Sequence, residues 1–344
     1  MTTADPGRTA MSVVVSEACQ GRVRAGADGG RMSNSAIAAS GLRKAFGDKV
    51  VLDGIDLDVP AGTVFSLLGP NGAGKTTAVN VLTTLMKADA GTVRVAGLDV
   101  ATETKAVRAV IGVTGQFAAV DELLTGQENL QLMADLKRVG SSEGKRVVTE
   151  LLERFDLTES AQKLVSTYSG GMRRKLDLAM TLVGNPQIIF LDEPTTGLDP
   201  RSRRTMWDII RQLVADGVTI FLTTQYLDEA DRLADRIAVL DRGRLVAQGT
   251  PGELKREVPG SYVRLRFTDA GELDAAARVL AGSTRDEDLT LRVPGDGGVK
   301  SLRALLGQLD EHSIDVEEFS VHTPDLDDVF LALTGHANTE EMAR

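Results

Sequence analysis

The segment LLGPNGAGKTT at residues 67–77 constrains the fold more than any other part of the sequence. From Gly69 to Thr76 it has the spacing G-x-x-x-x-G-K-[S/T], and it stands between a strand-like apolar run and an apolar helical pattern. Glycines in such a loop let backbone N–H groups point at phosphate oxygens, and the helix N-terminus adds positive partial charge. The segment therefore predicts a phosphate-binding loop between a buried strand and a helix, in an α/β fold.

The side chains at the end of this loop suit a nucleotide polyphosphate. Lys75 can reach the β- and γ-phosphates, and the hydroxyl of Thr76 can ligate Mg²⁺. A chance glycine-rich turn is the alternative, which the complete spacing and its strand–helix context disfavour. The predicted binding residues are Gly69, Pro70, Asn71, Gly72, Ala73, Gly74, Lys75, Thr76 and Thr77.

A second motif, IIFLDEP at 188–194, is an apolar strand that ends in two carboxylates. Asp192 stands where a phosphate loop's Mg²⁺ usually has its carboxylate partner. Glu193, one residue further, is placed to accept a proton from an attacking water. Acidic residues are common at strand ends, so the assignment depends on the phosphate loop being present in the same chain.

A third motif, YSGGMRRKLDLAM at 168–180, predicts a helix capped by Ser169. Gly170 and Gly171 would expose backbone N–H groups at its start, which predicts a second anion site. An ordinary capped helix is the alternative, but the motif lies about twenty residues before IIFLDEP, and that position favours a functional role. The predicted apolar stripe is Leu176, Ala179, Met180 and Val183, and Asn185–Pro186 would end the helix.

Composition limits the partners. The net charge of -10 and the pI of about 5.0 disfavour a nucleic-acid binder and simple adsorption to anionic lipid. Cys19 is the single cysteine, so no disulfide within the chain and no cysteine-rich metal site are expected, which fits a reducing cytosol. No apolar run approaches the roughly 18 residues of a membrane span. A link to a membrane would therefore need docking to another protein.

The apolar patterns predict two domains. Strand-like runs alternate with helical patterns over residues 36–255, which indicates an α/β domain. Residues 257–335 combine alternating strands with helices, which indicates a small α+β domain. We expect disorder in 1–35, with translation starting at Met32 or Met11 as a hypothesis, and a frayed tail at 336–344. The predicted strands of the first domain are 63–68, 109–115, 188–192, 218–222 and 236–240.

The predicted second domain rests on two alternating strands, two helices and a stop signal. In SYVRLRF the apolar residues Val263, Leu265 and Phe267 alternate with polar ones and are predicted to be buried on one face of a strand. The residues of LTLRV alternate in the same way. In the last helix Thr323 would be the cap, Pro324 would lie in the first turn and Gly335 would end the helix. The predicted apolar helix positions are Val299, Leu302, Leu305, Leu306 and Leu309, then Leu326, Val329, Phe330 and Leu333.

Five motifs in order resemble the nucleotide-binding subunit of ABC transporters. They are GPNGAGKTT, VTGQF with Gln116, YSGGM, FLDEP and TGLDP at 196–200, and the resemblance covers about residues 40–250. It implies an ABC-type P-loop ATPase domain with a helical subdomain at about 117–180, followed by the small α+β domain. It further implies that two copies form a homodimer that sandwiches two ATP molecules with Mg²⁺.

Roles for individual residues follow from that resemblance. It places Gln116 near Mg²⁺ and the attacking water, and Asp199 at the dimer seam. Ser169, Gly170 and Gly171 would contact the γ-phosphate of the partner's ATP. Phe46 matches the position of an aromatic that stacks on adenine, and a core Phe is an equal alternative.

The variants YSGGMRR, TTQYLDEAD and TPDLDDVFLALTG look like the daunorubicin/doxorubicin-resistance type of exporter ATPase. This type works with a separate integral-membrane permease, which implies a place on the cytoplasmic face of the membrane. The segment 117–136 is expected to be helical and to dock that permease, or else to be a solvated helical face. Lipid or polyketide cargo is the alternative to a drug. Arg201, Arg203 and Arg204 are expected on the surface because basic groups at a helix start oppose its dipole.

Gln225 stands where the family usually has a histidine, and all three histidines of the chain lie beyond residue 300. An amide N–H₂ can donate to a γ-phosphate, but it cannot take up a proton near neutral pH. Gln225 is therefore predicted to sense the γ-phosphate, while Glu193 carries the chemistry. A nucleotide-dependent switch with little hydrolysis stays open as an alternative. Tandem-cassette translation proteins are disfavoured by the single GKT, and DNA-repair ATPases by the lack of a coiled-coil insertion.

Overall fold

The computed structural model describes residues 35–115, 118–257, 261–286, 289–295, 298–322 and 324–335. The chain divides into two compact units, 1–33 and 34–344, and only the second contains described residues. The predicted disorder of the N-terminal extension and the predicted fraying of the tail at 336–344 fall outside the described residues, except that Ser35 begins the first strand. Phe46 ends that strand.

A six-stranded sheet forms the centre of the second unit, in the order β10-β9-β3-β8-β7-β6. Every residue of β3, β7 and β8 is buried, which explains why their sequences are continuous apolar runs rather than alternating ones. These strands pair in parallel, whereas β10 runs antiparallel to β9. The bounds are β3 Val64–Leu68, β6 Ile111–Thr114, β7 Ile188–Asp192, β8 Thr219–Thr224, β9 Arg236–Asp241 and β10 Arg244–Gly249.

A second, antiparallel sheet has the order β2-β1-β4-β5 and shares a hydrophobic core with the central sheet. Phe65 and Phe221 stack within that core, with ring centroids 5.5 Å apart, and Phe190 packs against Phe221 at the same distance. The bounds of its strands are β1 Ser35–Phe46, β2 Lys49–Pro60, β4 Ala90–Val95 and β5 Leu98–Asp99.

Eight α-helices of the larger body, residues 35–257, connect and cover these sheets among the described residues. The start of α3 corrects the expectation that 117–136 is helical throughout, because residues 118–125 are not helical. Thr125 and Glu128 form a reciprocal capping box, with the backbone N–H of Thr125 donating to Glu128 Oε2 at 2.8 Å, and this pair sets the first helical residue. The helices are α1 Lys75–Leu82, α2 Thr104–Val110, α3 Gly126–Leu136, α4 Ser141–Arg154, α5 Gly170–Leu182, α6 Pro200–Ala215, α7 Leu227–Leu233 and α8 Pro251–Glu257.

The smaller body is a four-stranded antiparallel sheet, in the order β12-β13-β11-β14, with α9 and α10 packed on it. Val263, Leu265 and Phe267 are buried as predicted. Val299 is 75% exposed at the first residue of its helix, before the buried part of the stripe at Leu305 and Leu309, so its predicted place in the apolar stripe was wrong. The elements are β11 Tyr262–Arg266, α9 Ala270–Val279, β12 Thr284–Asp286, β13 Thr290–Pro294, α10 Val299–Glu311 and β14 Glu318–His322.

The last helix, α11 (Leu326–Thr334), packs back on the larger body. Its Leu326, Val329 and Phe330 share a core cluster with residues of β3, α7 and α8. Asp325 is its cap, with a capping box to Asp328, so the helix begins after Pro324 rather than at it. Thr323, the predicted cap, lies outside the described residues. Gly335 ends the helix with φ 66°, as predicted.

Candidate active site

The candidate site lies where four neighbouring parallel strands end. The phosphate loop follows β3, Gln225 follows β8, and β7 ends in Asp192. β8 lies between the other two, with Thr224 opposite Leu68 and Thr223 opposite Asp192. Gln225 is therefore placed between the phosphate loop and the acidic pair. β6 ends beside β7 and leads to Gln116, which lies outside the described residues.

Two glycines of the phosphate loop are required by close approaches. A Cβ on Gly69 would overlap the carbonyl oxygen of Leu240 in β9. Gly74 has φ 113°, and a Cβ there would lie 2.9 Å from the carbonyl oxygen of Val51. Of the other predicted loop residues, Ala73 is buried, Pro70 and Thr77 are half-buried, and Asn71, Gly72 and Thr76 are exposed.

Gly69→Ala is expected to lower the free energy of unfolding by about 1–3 kcal/mol, because the loop or β9 must move to admit the methyl group. The matched control is Gly140→Ala, at a glycine with negative φ and open space around its Cα. Chemical denaturation of both variants measures the effect. Equal stability of the two would contradict the close approach to Leu240.

Lys75 is buried at the start of α1 and donates from Nζ to the carbonyl oxygens of Gly69 at 2.6 Å and Pro70 at 3.2 Å. Burial lowers the pKa of Lys75, while the charges of Glu193 and Asp192 act in the opposite direction. A buried ammonium that donates to loop carbonyls is suited to exchange those contacts for phosphate oxygens.

Asp192 and Thr76 bring a carboxylate and a hydroxyl together. The hydroxyl of Thr76 donates to Asp192 Oδ2 at 3.3 Å, and the hydroxyl of Thr223 donates to Asp192 Oδ1. Oxygen donors of this kind are the ligands that Mg²⁺ prefers, so the residues fit the ion predicted from the sequence. Thr223, a polar residue at the end of a buried strand, was not predicted as part of the site.

Glu193 has φ 50°, in the left-handed region that a residue with a side chain rarely adopts. Its backbone N–H donates to Thr223 O at 3.0 Å, which holds it in that conformation, and its carboxylate accepts from Thr196 Oγ1 at 3.3 Å. Such backbone strain costs about 1–3 kcal/mol and is concentrated at functional sites. The strained backbone and a half-buried carboxylate thus occur together at the position predicted for a general base.

Ser169, Gly170 and Gly171 form the start of α5, where Ser169 and Gly170 are exposed and Gly171 is half-buried. Ser169 caps the helix as predicted, accepting from the backbone N–H of Met172 at 3.3 Å. A Cβ on Gly171 would lie 2.7 Å from Ser202 Oγ, so glycine is required where α5 meets α6. The helix ends at Leu182, and Val183 and the rest of its predicted stripe are buried.

Asp199 lies beside this helix start. Its carboxylate caps α6, accepting at 3.0 Å from the backbone N–H groups of Arg201 and Ser202, and the Ser202 hydroxyl donates to it at 2.5 Å. Hydrogen bonds from Ser202 hold the pKa of Asp199 below its usual value. The structure therefore joins Gly171 and Asp199 through Ser202.

Phe46 is 49% exposed at the end of β1, so the alternative of a core phenylalanine was wrong. Lys44 Nζ lies 5.6 Å from the centre of its ring. The paired strand β2 brings Val51 against Gly74, which places this hairpin beside the phosphate loop. An exposed ring at this point can stack on an adenine.

The arginines after Pro200 only partly match the expected surface positions. Arg201 and Arg204 are exposed, but Arg203 is half-buried. Its guanidinium lies over the ring of Tyr226, 5.0 Å from the centre. Tyr226 follows Gln225, so this contact ties α6 to the segment after β8.

Buried charges near the site were missed by sequence reasoning. Arg174 and Asp177 on α5 are both buried and form an ion pair of 3.4 Å. Glu229 on α7 is fully buried, accepts from Trp207 Nε1 at 3.2 Å, and has its pKa raised by burial. The sequence carried a signal for Arg174 and Asp177, because they are oppositely charged, stand at positions i and i+3, and lie among the residues of the predicted apolar stripe.

Comparisons with known proteins agree with this geometry. The model of the ABC transporter family matches residues 52–196, and that of the ATP-binding protein DrrA1-3-like C-terminal domain matches residues 249–334. The daunorubicin resistance ATP-binding protein DrrA3 of Streptomyces coeruleorubidus is 50% identical over 307 residues, which are 88% of this chain and 97% of the relative. The chain belongs to the ABC transporter ATP-binding family. It is an ABC exporter ATPase, with the α/β fold predicted.

Other members of the ABC family extend the comparison. The daunorubicin/doxorubicin resistance ATP-binding protein DrrA of Streptomyces peucetius is 49% identical, covering 90% of this chain and 96% of the relative. The Nod factor export ATP-binding protein I of Rhizobium sp. (strain N33) is 37% identical, covering 88% and 98%. A dimeric ATP-binding cassette in a post-hydrolysis state with ADP and Pi matches with a TM-score of 0.57 and 26% identity, over 62% of this chain and 98% of that one.

ATP-binding subunits of the ABC family bind nucleotide, and they associate with membrane permeases. The ATP-binding subunit of another ABC transporter matches with a TM-score of 0.59 and 27% identity, over 65% of this chain and 93% of that one. Within the part of the chain that the structure describes, no helix has the length and apolar character to cross a bilayer.

Proposed function

We propose that this chain hydrolyses ATP with Mg²⁺, as a homodimer on the cytoplasmic face of the membrane, to drive a separate permease that exports a hydrophobic drug or antibiotic. The observation that carries the proposal is the arrangement of strand ends. Lys75, Gln225 and the Asp192–Glu193 pair follow three neighbouring parallel strands, so one bound nucleotide can meet all of them.

The residues of one chain would bind the nucleotide and prepare the water. Lys75 exchanges its loop carbonyls for phosphate oxygens, and the loop N–H groups contact the same phosphates. Thr76, Asp192 and Gln116 would hold Mg²⁺, which spreads the negative charge of the phosphates. Glu193 accepts the proton of the attacking water, and the N–H₂ of Gln225 donates to the γ-phosphate.

The partner copy would complete the site. Ser169 and Gly170 are exposed and Gly171 is half-buried, and together they offer a hydroxyl and backbone N–H groups at a helix start, a combination suited to a γ-phosphate. Asp199 lies against this start through Ser202, which supports a place at the dimer seam. Loss of the γ-phosphate removes contacts made across the dimer, so hydrolysis favours reopening.

The domain organisation in this proposal is an ATP-binding domain at 36–255 with a helical subdomain at about 117–180, and an accessory domain at 257–335. The two matching family models, at 52–196 and 249–334, support this division. The return of α11 to the larger body means that the accessory domain is held at both of its ends.

A drug is proposed as the cargo because the relatives that are 48–50% identical are named for daunorubicin resistance, whereas the Nod factor export relatives are 36–37% identical. The test is efflux of fluorescent daunorubicin from cells that carry this chain and its permease. We expect efflux that stops when the permease is omitted. ATP hydrolysis by this chain with its permease, without any efflux of the drug, would move the cargo to another class.

Gln225 provides a graded test of the γ-phosphate contact. Gln225→Ala is expected to lower the rate of phosphate release by about 10-fold or more, since it removes a hydrogen bond to a charged group. Gln225→His should be tolerated because its ring N–H can replace the amide donor. Steady-state phosphate release measures both. Equal rates in all three proteins would show that residue 225 plays no part in turnover. A very low wild-type rate with tight ATP binding would favour the alternative of a nucleotide-dependent switch with little hydrolysis.

A further inference from the structure

Arg174, on the buried side of α5, donates four of its five N–H groups to backbone carbonyls of neighbouring segments. Nη1 donates to Gly115 O at 2.8 Å, and Nε donates to Pro194 O at 2.9 Å. Nη2 donates to the carbonyl oxygens of Asp192 at 3.2 Å and Glu193 at 3.0 Å. One guanidinium thus joins the backbone before residue 116 to the backbone that carries Glu193.

Asp177, one turn further along α5, extends this contact. Its Oδ2 accepts the remaining N–H of Arg174 at 3.4 Å, and its Oδ1 accepts from the backbone N–H of Ala119 at 2.9 Å. The chain is therefore held at Gly115 by the arginine and at Ala119 by the aspartate. These two anchors lie on either side of Gln116.

Burying the charged side chains of Arg174 and Asp177 has a desolvation cost. Arg174 is 8% exposed and Asp177 is 2% exposed. Burial raises the pKa of Asp177, and the Ala119 N–H and Arg174 oppose that shift. Replacing a buried ion pair by apolar residues of similar volume is often neutral or stabilising. Stability alone therefore does not account for a charged pair at this position, whereas the donation of four of the five N–H groups to backbone carbonyls around the site does.

We propose that Arg174 and Asp177 are positioning residues that set the distance between the backbone at Gly115 and Ala119, which lie on either side of Gln116, and the backbone of Glu193. This inference rests on the proposed function, in which those two side chains act on the attacking water. Ser169–Gly171 form the start of α5, which would contact the ATP bound by the partner copy. The guanidinium of Arg174 therefore also fixes this helix relative to the residues of its own chain that act on the attacking water.

The test is a paired substitution, Arg174→Met with Asp177→Leu, which removes both charges at similar volume. We expect a thermal midpoint near that of the wild type and a nearly unchanged KM for ATP. kcat should fall by about 10–100-fold, because a displacement of about 1 Å at reacting groups can cost about 100-fold. The control is Arg173→Met: this neighbouring arginine contacts Val165, Ser166 and Glu122 instead, and its variant should keep a kcat close to wild type.

Arg174→Lys covers the case in which the double variant does not fold. Lysine keeps the charge but cannot present five N–H groups in a fork, so we expect a folded protein with reduced kcat and an unchanged KM. A wild-type kcat in the double variant or in Arg174→Lys would overturn the proposal, as would losses of kcat that only follow losses of stability. Glu193→Gln in the same assay separates the two claims: if it releases phosphate as fast as the wild type, the proposed function fails whatever the role of Arg174 and Asp177.

Discussion

Glu193→Gln is expected to slow ATP turnover by about 10²–10⁴-fold while leaving ATP binding intact. The amide keeps the size of the side chain and can still accept from Thr196 Oγ1, but it cannot take a proton from water. The backbone that holds residue 193 at φ 50° is tied by its own N–H to Thr223 O and does not depend on the carboxylate. The substitution therefore isolates the chemical step.

Steady-state phosphate release and equilibrium binding of ATP measure the two parts of this prediction. The matched control is Glu150→Gln, an exposed glutamate on α4 whose side chain pairs with Arg146. It should keep both properties. A Glu193→Gln protein with wild-type turnover would remove Glu193 from the mechanism and leave the general base unassigned.

Lys75→Ala is expected to weaken ATP binding by about 10–100-fold, because a hydrogen bond to a charged group contributes about 1.5–3 kcal/mol. Hydrolysis and efflux should be lost together, in contrast to Glu193→Gln, which separates binding from turnover. The reason is the place of Nζ, which lies within the phosphate loop and is buried beside the acidic pair.

Two measurements separate this effect from damage to the loop. Nζ of Lys75 also holds the carbonyl oxygens of Gly69 and Pro70, so the thermal midpoint of the Lys75→Ala protein is measured beside its affinity. The control is Lys145→Ala, at an exposed lysine of α4. Unchanged ATP affinity in a folded Lys75→Ala protein would contradict the assignment of the phosphate loop.

Much of the site could be predicted because its residues lie in short, continuous segments. The phosphate loop, the Asp192–Glu193 pair and the helix capped by Ser169 each depend on local spacing, and the structure forms each of them. Local rules also predicted the buried strands, because fully covered parallel strands are uniformly apolar. The roles of these residues stay proposals that the experiments above address.

Contacts between distant segments could not be predicted in this way. Nothing in the sequence near Arg174 indicates that its N–H groups meet carbonyls of residues 115 and 192–194. The apolar stripe of α11 could be predicted from the sequence, but the surface of the larger body that it covers could not. The error at 118–125 had a local cause, since the capping pair Thr125 and Glu128 was present in the sequence and was overlooked.

The central claim is that each ATP site is shared between two copies of the chain, and mixing two inactive variants tests it most directly. Lys75→Ala damages the phosphate loop, and Ser169→Arg damages the surface offered to the partner. In a mixed dimer one site carries both defects and the other carries neither. Phosphate release should therefore be absent from each variant alone and should appear when the two are combined. Wild-type turnover by Ser169→Arg alone, or a mixture as inactive as its components, would contradict the shared site.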